Sequence, residues 1–138
     1  MVYLEVKKDF NTDIGEGLMA GYVDLYILPI PEKNLNAYKR MARKFGEVIM
    51  ELGALEYREF MGDDLFVKGM IPLPTKFPLK KGEIMIFSVV GFRSKAHRNQ
   101  VNKKLMRDPR LHEMGNMGNE IMDCKKIIFG GYKTIVEG

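Results

Sequence analysis

The residues of this 138-residue chain best suited to chemistry are few: two histidines, one cysteine and several acids set among strand-like aromatics. His97 lies in "VVGFRSKAHRNQVNKKLMRDPR" (Val89–Arg110), three residues after Ser94, a good helix N-cap. A helix N-terminus disfavours imidazolium, so His97 is expected to be neutral near pH 7. A neutral imidazole at a pocket edge serves as a base or a hydrogen-bond donor. The same residue lines up with Val101 and Leu105 at i+4 and i+8, the spacing of a packing histidine tied to a strand carbonyl. No cysteine, serine or carboxylate stands beside it at motif spacing, and the packing reading is preferred.

Asp24, Glu56 and Arg58 fall on strand faces assigned to the interior of a barrel, with Tyr22, Tyr26, Ser88 and Tyr132 lining the same space. Charges placed there must pair with each other or await a polar ligand. Two readings stand: a salt bridge between subunits, or a site for a small, partly apolar organic molecule. In the second, Arg58 holds a carbonyl or carboxylate, Asp24 is the leading proton acceptor, and His97 orients the ligand or relays a proton. An aspartate buried among tyrosines has a raised pKa, which suits that role.

Other chemistries find less support. His97 and His112 are fifteen residues apart, and neither Cys124 nor the pair Asp63–Asp64 completes a metal-ligand spacing. Gly130–Gly131 lacks the flanking pattern of a phosphate loop. No metal or other cofactor is implied. Residues 93–110 carry Arg93, Lys95, Arg98, Lys103, Lys104, Arg107 and Arg110 against Asp108 alone, on a chain of net charge +4. These charges are spread around a helix with little aromatic interleaving, the pattern of a solvated face, so an RNA-associated role is the least favoured reading.

The length suits one domain, and 46% hydrophobic with 29% charged residues is ordinary for a soluble protein. No apolar run approaches the ~18 residues of a membrane span. The first twenty residues hold no apolar h-region of a secretory signal. A single cysteine fits a reducing compartment, and a cytoplasmic location is expected. Residues 1–18 read as an upstream extension or as an extra edge strand ("VYLEV"), and 19–138 as the single compact domain.

Within that domain, alternation from Gly21 to Leu28 predicts a strand ended by Pro29 and Pro31. Val23, Leu25 and Ile27 face one way, and Tyr22, Asp24, Tyr26 and Leu28 the other. Leu35, Tyr38, Met41, Ala42, Phe45, Val48, Ile49 and Leu52 recur at helical spacing, with Gly53 as the stop. Ala54–Met61 reads as a second strand and Glu83–Phe92 as a central third. Between them, residues 62–82 form a long irregular stretch, suited to covering something or acting as a lid. The helix after Ser94 should end near Asp108–Pro109. "LHEMGNMGNEIMDC" reads as a loop with a helical turn at most, and Lys126–Val136 as the last strand.

The expected fold is α+β: β-α-β-β-α-β, a ferredoxin-like antiparallel sheet with two helices on one face. Tyr22, Tyr26, Leu28 and Phe60 are assigned to the bare face, where a second copy would cover them and form a dimeric α/β barrel. Enzyme, ligand-binding or sensing module, and structural dimer all fit that assembly.

"GYVDLYILPIPEKNLNAYKRMARKFGEVIMELGALEYREFMGDD", "VNKKLMRDPR" and "IIFGGYK" resemble the DUF1428 family of small bacterial proteins over about residues 19–136. The resemblance implies the same dimeric, ferredoxin-like α/β-barrel fold and no established activity. The wider superfamily it implies includes cofactor-free monooxygenases, haem-degrading enzymes, and small isomerases or decarboxylases. Two departures stand out: Val89 occupies a position where the family often carries tryptophan, and the run before the last strand is Met-rich. The first weakens any mechanism that needs an indole in the pocket.

Overall fold

The computed structural model describes residues 19–138; the extension or edge strand expected at 1–18 lies outside the described residues. Four strands, β1 (Tyr22–Pro31), β2 (Glu56–Met61), β3 (Glu83–Phe92) and β4 (Ile128–Lys133), form one antiparallel sheet in the order β2-β3-β1-β4. The helices are α1 (Leu35–Glu51), the single turn α2 (Leu73–Lys76), α3 (Lys95–Met106) and α4 (Pro109–Ile121).

β1 runs three residues past its expected end. β4 pairs with it only over Tyr22–Ile27, so beyond Ile27 one flank of β1 has no strand partner among the described residues. The Glu32 amide donates toward the β3 side, to the Gly82 carbonyl. Alternation then turns the amide positions of Pro29 and Pro31 toward that flank, where a missing N–H breaks no ladder bond among the described strands. At the other end of the chain, β4 is shorter than Lys126–Val136, spanning Ile128–Lys133.

The register sets the faces. Tyr22, Asp24, Tyr26, Leu28 and Ile30 of β1 stand beside Phe92, Val90, Ser88, Ile86 and Ile84 of β3. All ten point toward the helices, because Val90 and Phe92 pack with Val48 and Val101, and Leu28 and Ile30 with Tyr38, Ala42 and Ile121. The assignment of Tyr22, Tyr26 and Leu28 to the bare face is therefore corrected; Phe60 alone of that set lies there, edge-on to Phe87. Alternation marks two faces but not which is covered, and a wrong choice moves every side chain at once. Ile30, fully buried, shows which set continues into the core.

α3 begins as expected, with Ser94 Oγ accepting from the His97 amide at 3.1 Å, and it buries His97, Val101 and Leu105. The Met-rich segment is a second correction. It is a thirteen-residue helix, α4, started by an Asp108 side chain that accepts from the Arg110 amide, with Pro109 in its first turn. Glycines at 115 and 118 mask the helix in the sequence. Gly118 is buried, and a Cβ there would make ordinary contacts, 3.5 Å to Met41 Sδ and 3.7 Å to Cys124 Sγ, so the packing accepts the glycine without requiring it. The core divides into two clusters, one under α3 and the C-terminal half of α1, the other under the N-terminal half of α1, with Tyr26 and Tyr57 touching both. Part of the 62–82 stretch covers the opposite face: Phe77, Pro78 and Leu79 lie near Ile27, Pro29 and a buried Met85.

Candidate functional site

Across the helix-facing side of the sheet, one row of paired positions reads Phe129, Tyr26, Ser88 and Glu59, from β4 through β1 and β3 to β2. Tyr57 lies two residues before Glu59 on the same face, and α1 brings Tyr38 down over it. The close approach depends on Gly46, where a Cβ would sit 2.6 Å from the Tyr57 ring. Three hydroxyls converge on the Glu59 carboxylate: Tyr38 donates to Oε1 at 2.7 Å, Ser88 to Oε1 at 2.5 Å, and Tyr57 to Oε2.

These are charge-assisted bonds, stronger than those between neutral groups. Each carboxylate oxygen accepts along two directions. Oε1 is filled by two donors, while Oε2 receives one and keeps an accepting position. Burial, and then the Glu59 charge, push the Tyr38 and Tyr57 hydroxyls far above the usual phenol range, so both stay protonated donors. Tyr26 is pushed up to about 12, by burial first and the Asp24 charge second. Its hydroxyl has no hydrogen-bond partner among the described residues.

Beside this polar knot lies a cavity of about 240 Å³ between the sheet, α1 and α4. Tyr26, Tyr38, Tyr57, Glu59 and Ser88 supply its polar wall; Met41, Phe45, Leu111, Met114 and Met122 supply much of the rest, and exposed Gly115 and Cys124 lie at its mouth. An apolar pocket with a few convergent polar groups is the ordinary form of a small-molecule site.

Of the residues singled out from the sequence, Tyr26 and Ser88 meet here. Asp24 is on the same face but one pairing step away, only 1% exposed, with Arg98 Nη1 of α3 at 3.2 Å from Oδ1. Burial raises its pKa, opposed by Arg98 and the neighbouring Asn102. Neither carboxylate oxygen reaches hydrogen-bond geometry. Arg98 also donates to the Tyr22 hydroxyl at 3.2 Å and lies 5.1 Å from that ring's centre. Tyr22 in turn fills the space over Gly131, where any Cβ would collide with it.

His97 sits away from the cavity. Its Nδ1 accepts from the Arg93 amide at 2.9 Å, which places the ring proton on Nε2, toward Gly53. Burial first, then Arg93, lower its pKa. Glu56, Arg58 and Tyr132 stand on the opposite face of the sheet, Glu56 against Gly91 and Arg58 over the Phe60 ring at 4.7 Å. In the basic stretch, Arg98 points inward and Arg110 is held by Asp108 and Glu51.

Glu59, Tyr38 and Tyr57 were missed as site residues. The signal was present: Glu59 shares its strand face with Leu55 and Tyr57, so an acid occupies an otherwise apolar row. Among the described residues, no group of three or more His, Cys, Asp or Glu side chains could hold a metal ion.

Comparison with known proteins adds the lineage. A curated Escherichia coli K12 protein named "Uncharacterized protein YbaA" is 30% identical over 116 residues, covering 84% of this chain and 97% of that protein; the Shigella flexneri protein of the same name matches equally. A crystal structure from Burkholderia cenocepacia, described as a candidate amidohydrolase/peptidase, aligns at TM-score 0.32 and 13% identity over 86% of this chain. This chain spans 29% of that one, and a likeness at that level carries no argument. The family described as "Protein of unknown function (DUF1428)" matches residues 21–123, and the chain belongs to it.

Proposed function

We propose that this protein binds a small, largely apolar carbonyl compound in the cavity between sheet and helices and moves a proton on it. The observation that supports this is Glu59: a carboxylate steadied by three hydroxyls, with one accepting position left, on the wall of an apolar cavity. In this reading Glu59 takes the acceptor role assigned from sequence to Asp24, because the cavity is lined by Glu59 and not by Asp24. Oε2 removes a proton from the carbon next to the ligand carbonyl. The C–H pair becomes the enolate double bond, and the enolate oxygen accepts from the Tyr26 hydroxyl, which has no hydrogen-bond partner among the described residues. The Glu59 proton then returns to the ligand, to the same carbon as proton exchange or to the far carbon of a conjugated enolate as an isomerisation, and neither outcome needs an oxidant or cofactor. His97 and the Asp24–Arg98 pair act outside the cavity, holding the start of α3 against the sheet.

The order β2-β3-β1-β4, with β1 and β2 parallel about an inserted β3, supports a ferredoxin-like domain over 19–138. Val23, Leu25, Val89, Phe87 and Phe60 on the helix-free face support a homodimer in which two sheets close a barrel. The catalytic cavity then lies on the helix side of each sheet. Exposed, unpaired Cys124 supports a reducing location such as the cytoplasm; among the described residues no helix is long and apolar enough to cross a membrane.

The test has two readouts. N-phenyl-1-naphthylamine, an uncharged aromatic probe, should bind the wild type and lose affinity in Gly115→Phe, which fills the mouth at a position with open space for a side chain. Exchange of the acetophenone methyl protons in D₂O should be faster with wild type than with Glu59→Gln by about 10²-fold. Probe binding without exchange would reduce the protein to a carrier or sensor. Neither binding nor exchange would end the reading.

A further inference from the structure

The other side of the Tyr38–Glu59–Tyr57 wall is also hollow. A groove of about 310 Å³ wraps the edge of β2 that has no strand partner among the described residues, from α1 on one face to Arg58 and Phe60 on the other. Leu35, Phe60, Met61 and Ile86 supply its apolar surface, and Lys39, Arg43 and Arg58 its cations. None of the three has an ion-pair partner among the described residues, whereas Lys44 and Arg110 on neighbouring surface reach Glu113 and Glu51. Lys39 and Arg43 are one helical turn apart, a like-charge pair that weakens an isolated helix. Arg58 is held over the Phe60 ring, so its guanidinium is already oriented. Three cations face one carboxylate, Glu59, whose oxygens already accept three hydroxyls, so the groove is net positive.

We propose that this groove is a second ligand site, for a small amphipathic anion: a carboxylate, sulfonate or phosphate ester with an apolar body. Lys39, Arg43 and Arg58 take the charged head, and Leu35, Phe60, Met61 and Ile86 take the body. It stands independently of the cavity reading, since it uses a different opening. The shared wall makes Tyr38 and Glu59 the place where occupants of the two sites would sense each other.

Two probes that differ by one sulfonate test this on the full chain. 8-Anilinonaphthalene-1-sulfonate should bind wild type with an affinity that falls as salt rises, and Lys39→Gln/Arg43→Gln should weaken it by about tenfold. N-phenyl-1-naphthylamine, lacking the sulfonate, should be indifferent to that double variant. Gly115→Phe should leave the sulfonate's affinity unchanged. Sulfonate affinity within about twofold of wild type in the double variant, or its loss in Gly115→Phe, would overturn the proposal. Failure of the neutral probe together with absence of proton exchange would sink the cavity reading and leave the groove standing.

Discussion

Tyr38 on α1 and Glu59 on β2 are joined by a 2.7 Å hydrogen bond beside Tyr57, a ring that touches both core clusters. Tyr38 is 5% exposed and fully committed to that acceptor. The helix is thus tied to the sheet by a polar contact at the wall of the cavity.

Tyr38→Phe and Tyr57→Phe each remove one donor and leave part of a half-buried carboxylate unpaired. Each should cost about 1–3 kcal/mol in urea unfolding. The double variant should cost less than the sum, because both act on one carboxylate. Strict additivity would show that the hydroxyls do not act as a unit.

Gly46→Ala forces a methyl into the Tyr57 ring, and a ring packed from both sides by the two core clusters has little room to yield. A loss of about 1–3 kcal/mol is expected, together with weaker binding of N-phenyl-1-naphthylamine. Full stability would mean that α1 can lift off the sheet without consequence.

Arg98→Met strands the Asp24 carboxylate in the core, which should cost about 3–5 kcal/mol. Asp24→Asn/Arg98→Met should recover part of that loss, since the double variant buries no charge. The single variant should also gain stability on acidification, as Asp24 takes up a proton. A double variant less stable than Arg98→Met would show that the Asp24 charge has another partner.

The pH dependence of His97 follows from its lowered pKa. Folded protein holds the ring neutral with Nδ1 accepting from Arg93, and Arg93 and Lys104 oppose a charge there, while the unfolded chain takes up its proton near 6.5. Its contribution is therefore complete above 6.5 and is lost as pH falls from there toward the folded value. His97→Gln should flatten that part of the melting-temperature profile. A variant as pH-sensitive as wild type between about pH 7 and 5 would assign the effect to other groups.

Val89 pairs with Leu25 on one side and Arg58 on the other, at the middle of the helix-free face. Val89→Lys places a second cation beside Arg58 and should convert the proposed dimer to a monomer in light scattering, with the melting curve still cooperative. An unchanged mass would place the interface elsewhere.

The four strands, α1 and the capped start of α3 were legible because each is a local pattern: alternation, a three-and-four repeat, Ser94 three residues before His97. α4 was legible in principle from Asp108–Pro109, but Gly115 and Gly118 lower local helix propensity, and burial of Met114 and Ile121 against the core compensates for it. What tertiary structure alone decided is which way the strands face. Asp24 and Arg58 both read as inward charges, yet they lie on opposite sides of the sheet, because period-two alternation is symmetric until helices cover one side. The same limit hid the site. Tyr38, Tyr57, Glu59 and Ser88 come from three elements with no shared spacing, and only the pairing of Glu59 with Ser88 and the descent of α1 over Gly46 bring their oxygens together.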